Sequence, residues 1–98
     1  METFNDIIAS ETPVLVDFYA DWCGPCKAMS PVVKDVAQQL QGKVRVIKVN
    51  IDQAESAAMQ FKVSAVPTFI LFKNGRMLWR HSGMIDKAGL LKVIELGE

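Results

Sequence analysis

The chain has 98 residues, half of them hydrophobic, and its 11 Lys and Arg balance 11 Asp and Glu. That length allows one domain, residues 1–98, with a core large enough to fold alone, and zero net charge leaves no basic field for nucleic acid or acidic lipid. No apolar stretch approaches a membrane span, and the N-terminal residues carry acids without a basic leader segment, so the chain reads as cytoplasmic.

Phe4, Ile7 and Ile8 recur at helical spacing behind Thr3, a candidate N-cap, and Asp6 follows three residues on as in a capping box. Pro13 is expected to end this first helix. Val14 to Tyr19 is an apolar run interrupted only by Asp17, the pattern of a strand covered on both faces. Asp17 is either a turn residue or a buried acid. With Val16 before it and Phe18-Tyr19 after it, the better reading is a buried carboxyl of raised pKa, because an ionised carboxylate is costly there unless paired or protonated.

The strand stops near Ala20, where Asp21 and Gly24-Pro25 supply turn and helix-start chemistry. From Cys26 onward Met29, Val33, Val36, Ala37 and Leu40 keep helical spacing, and Gly42 marks the stop. Pro31 removes the backbone bond to Lys27, but the apolar period continues past it and predicts a kink rather than an end.

Cys23 and Cys26 open this helix with two residues between them. The spacing puts Cys23 at an exposed tip, facing unpaired N–H groups and the positive end of the helix dipole, which favour thiolate and nucleophilic attack. Cys26, less exposed, is the resolving thiol, and Asp17 is the candidate acceptor of its proton. A C-x-x-C beside a strand–helix pattern reads as a redox pair. Half of a zinc site is the first alternative, yet the chain offers one histidine, His81, and no second cysteine pair. A purely structural disulfide is the second, and its loop is too short to restrain the unfolded chain much.

Val44 to Asn50 forms a second strand, parallel to the first through a right-handed crossover. Asp52 is expected to cap a short helix that turns Ala54, Ala57, Ala58 and Phe61 inward. Pro67 marks the entry to a strand from Thr68 to Lys73. Asn74-Gly75 supplies both positive-φ residues of a type I′ hairpin, so Met77 to Ser82 returns antiparallel, with His81 a surface-strand residue rather than a ligand. Gly83 follows as a turn glycine. Asp86 then caps a last helix with Ala88, Leu90, Leu91 and Ile94 toward the sheet, weakened by about 1 kcal/mol at Gly89.

Trp22-Cys23-Gly24-Pro25-Cys26-Lys27, preceded by Val16-Asp17-Phe18, resembles the active-site signature of the thioredoxin family. The likeness continues through Pro31, Lys48-Val49-Asn50-Ile51-Asp52, Val66-Pro67-Thr68, Phe72-Lys73-Asn74-Gly75 and Gly83, and covers the chain from Pro13 onward. It implies a thioredoxin-like α/β fold: a central four-stranded mixed sheet, in the order of the Val44, Val14, Thr68 and Met77 strands, flanked by helices on both faces. The site would lie at strand C-terminal ends. Family members commonly begin with an additional strand, missing here, so the Val44 strand is expected to be an exposed edge guarded by Arg45 and Lys48.

The resemblance further makes Lys48, ending in or near the core, the charge partner of Asp17, against the alternative of a solvated edge lysine. It makes Pro67 a cis-proline facing the disulfide and has Val66 lend backbone groups to a substrate peptide. Gly83 would leave room for substrate, and Trp22, Gly24 and Pro25 would complete the docking surface. The implied activity is that of a thiol–disulfide oxidoreductase: a protein-disulfide reductase that takes electrons from a thioredoxin reductase and passes them to disulfide-containing proteins, as a monomer without cofactor or metal. An oxidase or isomerase, or a binding subunit with incidental redox chemistry, are the alternatives, and Gly24-Pro25 resembles the reductase version. Tyr19 stands where many members have a second tryptophan.

Overall fold

The computed structural model describes residues Met1–Glu98. In chain order it contains α1 (Phe4–Ile8), β1 (Val14–Tyr19), α2 (Gly24–Gln39), β2 (Arg45–Asn50), α3 (Glu55–Gln60), β3 (Thr68–Lys73), β4 (Arg76–Ser82), α4 (Lys87–Ile94) and a closing 3-10 turn (Glu95–Gly97). The four strands form one sheet in the order β2-β1-β3-β4. β1 runs parallel to β2 and antiparallel to β3, and β4 is antiparallel to β3, so the sheet is mixed as expected.

Alternation along β1 divides the core in two. Leu15 meets Met29, Val33 and Val36 of α2 and Leu90 and Ile94 of α4 on one side. Val14, Val16 and Phe18 meet Ile8 of α1 and Ala57 of α3 on the other. β3 serves both layers, sending Phe69 and Leu71 to the first and Ile70 and Phe72 to the second. Burial on both faces explains why β1 and β3 read as nearly continuous apolar runs. On the α1 and α3 side, Phe4 packs edge-on against Phe61 and Phe72, with centroids 5.9 and 6.4 Å away.

The Thr3–Asp6 capping box forms as predicted, but α1 stops at Ile8, well before Pro13. The hairpin terminates it: the Asn74 and Gly75 N–H groups donate to Ser10 and Ile8 carbonyls at 2.9 Å. Both turn residues take positive φ, 54° and 79°, which Gly and Asn tolerate more readily than most residues. α2 begins at Gly24 with Cys23 as its N-cap and continues through Pro31 as one helix.

β2 lies at one edge of the sheet, where Arg45 forms a bidentate ion pair with Glu2. β4 lies at the other. Its register slips beside Leu71 and Phe72, which pair with Trp79 and Met77 and leave Leu78 as the extra residue; such a bulge disrupts an edge as a template for further pairing.

Asp86 caps α4 as expected, accepting from the Gly89 N–H at 2.8 Å. Ala88, however, is exposed, because Leu90 and Ile94 define the buried stripe and Leu91 and Val93 flank it. The glycine at 89 has a packing reason that outweighs its low helix propensity: a Cβ there would stand 2.9 Å from Asp86 Oδ1 and from Ile85 Cγ1.

Candidate active site

β1 delivers Tyr19 and Ala20 to the C-terminal end of the sheet, and the chain turns there into α2. Cys23 closes the turn, donating its N–H to the Ala20 carbonyl at 3.2 Å. Cys23 and Cys26, with Cα atoms 5.3 Å apart, are joined in a disulfide. As N-cap of α2, Cys23 presents its Sγ to the Cys26 N–H at 3.1 Å. A sulfur in that position receives a backbone donor and the positive end of the helix, both of which stabilise negative charge on it.

The expected contrast between an exposed and an inner cysteine is not found: Cys23 is 4% exposed and Cys26 6%. The loop from Val66 covers the tip, its carbonyl 3.6 Å from Cys23 Sγ. Gly24 and Pro25 remain exposed, and Trp22 is 68% exposed. The exposed surface around the pair is therefore a rim rather than a projecting thiol.

The Val66–Pro67 bond is cis. Pro67 itself is buried, Val66 half-buried, and the Val66 N–H has no partner in the chain. Gly83 donates its N–H to the Pro67 carbonyl at 2.8 Å and so fastens the end of β4 to this loop. Its φ is 104°, and a Cβ added there would meet nothing within 4 Å; the backbone conformation, not crowding within the protein, demands glycine. Met84, exposed beside it, adds an apolar side chain that the sequence reading did not single out.

Asp17 is 2% exposed, and its Oδ1 has no hydrogen-bond partner. Burial pushes its carboxyl up from 3.8 to about 6, against a smaller opposing pull from Lys48. Lys48 is Asp17's cross-strand partner in the parallel register. It is not in the core, however: the residue is exposed on the edge strand and forms no ion pair. Its ammonium stands 4.7 Å from the centroid of the Tyr19 ring, so it acts on Asp17 through its field alone. Cys26 lines a cavity of about 200 Å³ together with Tyr19, Ala20, Asp21, Lys27, Ser30 and Lys48.

Asp52 does not cap α3. The N-cap is Ala54, without a side-chain bond, whereas Asp52 Oδ2 accepts from Trp22 Nε1 at 2.9 Å. Asn50 ties the same region together, accepting from the Asp52 N–H at 2.9 Å and donating to Asp21 Oδ2 at 3.3 Å. The loop after β2 thus anchors the loop before the cysteines. The Asn50-x-Asp52 spacing signals an Asx turn, but the indole partner, 30 residues distant, leaves no local trace. His81 stacks on Trp79 with centroids 5.8 Å apart, and its Nε2 lies 3.2 Å from the Met84 carbonyl.

A disulfide seated at a helix start, with a buried carboxyl in the strand that leads to it, defines a protein of dithiol–disulfide exchange. The family model described as Thioredoxin matches residues 1–96. Thioredoxin 1 of Chlorobaculum tepidum is 47% identical over 85 residues, which span 86% of this chain and 84% of that protein. The thioredoxin of Synechocystis sp. is 42% identical over 91 residues, 93% of this chain and 85% of its own. Among solved structures, oxidized mitochondrial thioredoxin 3 of Saccharomyces cerevisiae superposes with a TM-score of 0.84 at 35% identity, covering 94% of this chain and 85% of that one. The chain belongs to the thioredoxin family and is a thiol–disulfide oxidoreductase.

Proposed function

We propose that the protein reduces disulfides of other proteins. The Cys23 thiolate attacks one sulfur of the substrate disulfide, forming a mixed disulfide and expelling the other substrate sulfur as thiolate, which takes up a proton. Cys26 gives its proton to Asp17 and attacks Cys23 Sγ, forming the internal disulfide and releasing the second substrate thiolate. Two electrons have then passed from the protein to its substrate. The exposed rim of Trp22, Gly24 and Pro25, with Val66, Gly83 and Met84, receives the substrate, whose extended chain pairs with the free Val66 backbone. Pro67, being buried, serves by holding Val66 and Gly83 in place. A thioredoxin reductase returns the two electrons, and the protein works as a monomer in the reducing cytoplasm.

The observation that carries this reading is the buried, unpaired Asp17 carboxyl, whose proton affinity near neutral pH suits acid–base exchange with a thiol. The test is equilibration of the pair in glutathione and dithiothreitol buffers, then thiol alkylation and mass spectrometry. A potential at or below the cytosolic poise, about −220 to −320 mV, is expected; one near about −120 mV, that of a strong oxidant, would overturn the reductase direction.

A further inference from the structure

Side chains of Asp17 and Tyr19, two residues apart on β1, share one face of the sheet. Lys48 is the register partner of Asp17 on β2 and projects to that same face, since residues paired in a sheet point the same way. It therefore has two candidate partners on the neighbouring strand: a carboxyl directly opposite and an aromatic ring on the diagonal. Its ammonium sits over the ring, a placement favoured by the ring quadrupole and by keeping the charge hydrated at the edge.

We propose that Tyr19 is a positioning residue: its ring holds the Lys48 ammonium away from the buried Asp17 carboxyl, so that no ion pair forms and the carboxyl stays free to exchange the Cys26 proton. This rests on the reading of Asp17 as proton acceptor. Three observations carry it. Asp17 Oδ1 is buried without a partner although a lysine lies opposite in register. Lys48 makes no ion pair. Tyr19, Lys48 and Cys26 line one cavity, so the ring, the ammonium and the resolving cysteine share one neighbourhood. The other chargeable groups there are Asp21 from the loop and Lys27 from α2; from β3 Asp17 meets Phe69, which carries no charge.

Removing the ring frees Lys48 to swing onto the carboxylate, and an opposite charge that close lowers a carboxyl pKa by about one unit or more. The experiment is an NMR titration of the Asp17 carboxyl carbon in the oxidised protein. Tyr19→Phe, which keeps the ring, is expected to leave the midpoint unchanged. Tyr19→Leu, with Tyr19→Met as a second variant should the first not fold, is expected to lower it by about one pH unit. Lys48→Met is expected to raise it, and Tyr19→Leu added to Lys48→Met to change nothing further. The proposal is overturned if the ring-less variants leave the midpoint in place, or lower it equally without the lysine, since Tyr19 would then act through solvation. Single-turnover resolution of a mixed disulfide separates the underlying reading. If Asp17→Asn resolves as fast as the native protein at pH 7 while the titrations shift as described, the proton-acceptor role of Asp17 falls and the placement of Lys48 by Tyr19 stands.

Discussion

Replacing Asp17 by Asn should stabilise the protein, and the gain should depend on pH in a specified way. Below about pH 3.8 the carboxyl is neutral in both folded and unfolded chains, so a neutral isostere changes little. Between 3.8 and about 6 the unfolded chain releases the proton while the buried residue retains it. The native protein therefore binds more protons, and its stability falls as pH rises through this window. Above about 6 the folded carboxylate is ionised, and the full cost is present. Each pH unit between the two values corresponds to about 1.4 kcal/mol, so the cost at pH 7 is roughly 3 kcal/mol. Denaturant unfolding of the oxidised protein from pH 4 to 8 reads it directly. The Asp17→Asn gap should be near zero at pH 4, climb between 4 and 6, and level off at roughly 3 kcal/mol. A gap independent of pH, or an Asn variant less stable at pH 7, would refute the burial argument.

Gly89→Ala, which helix propensity alone predicts to stabilise by about 1 kcal/mol, should instead lower the thermal midpoint, because the new Cβ displaces the Asp86 cap and its bond to the residue 89 N–H. Gly83→Ala should cost about 1–3 kcal/mol in denaturant unfolding through backbone strain at φ 104° alone, and should also slow insulin-disulfide reduction; full activity would remove Gly83 from the docking rim. Asp52→Ala should cost about 1 kcal/mol and shift the Trp22 indole N–H resonance toward that of free tryptophan. An unmoved resonance would show that the loop is held by Asn50 and Asp21 without it.

Local chemistry made much of this molecule legible. Double-sided burial wrote β1 and β3 as apolar runs, the type I′ turn demanded Asn74-Gly75, and the Thr3 and Asp86 caps act within three residues of themselves. The Cys23–Cys26 spacing at a helix start likewise carries its chemistry in adjacent residues. Where two distant segments compete for one side chain, the sequence was silent or misleading. Asp52 has the local signature of a helix cap, yet the indole of Trp22 takes its carboxylate. Pro13 has the signature of a helix stop, yet α1 ends earlier, where the hairpin donates to the carbonyls of Ile8 and of Ser10 just beyond it. Cys23 reads as an exposed tip until the Val66 loop folds over it. Lys48 and Asp17 are a charge pair by register, and only the packed sheet brings a third group, the Tyr19 ring, within reach of the ammonium. Backbone periodicity and caps are short-range effects that the order of residues determines alone; partner choice is a difference between long-range contacts, and it exists only once the tertiary structure has set the distances.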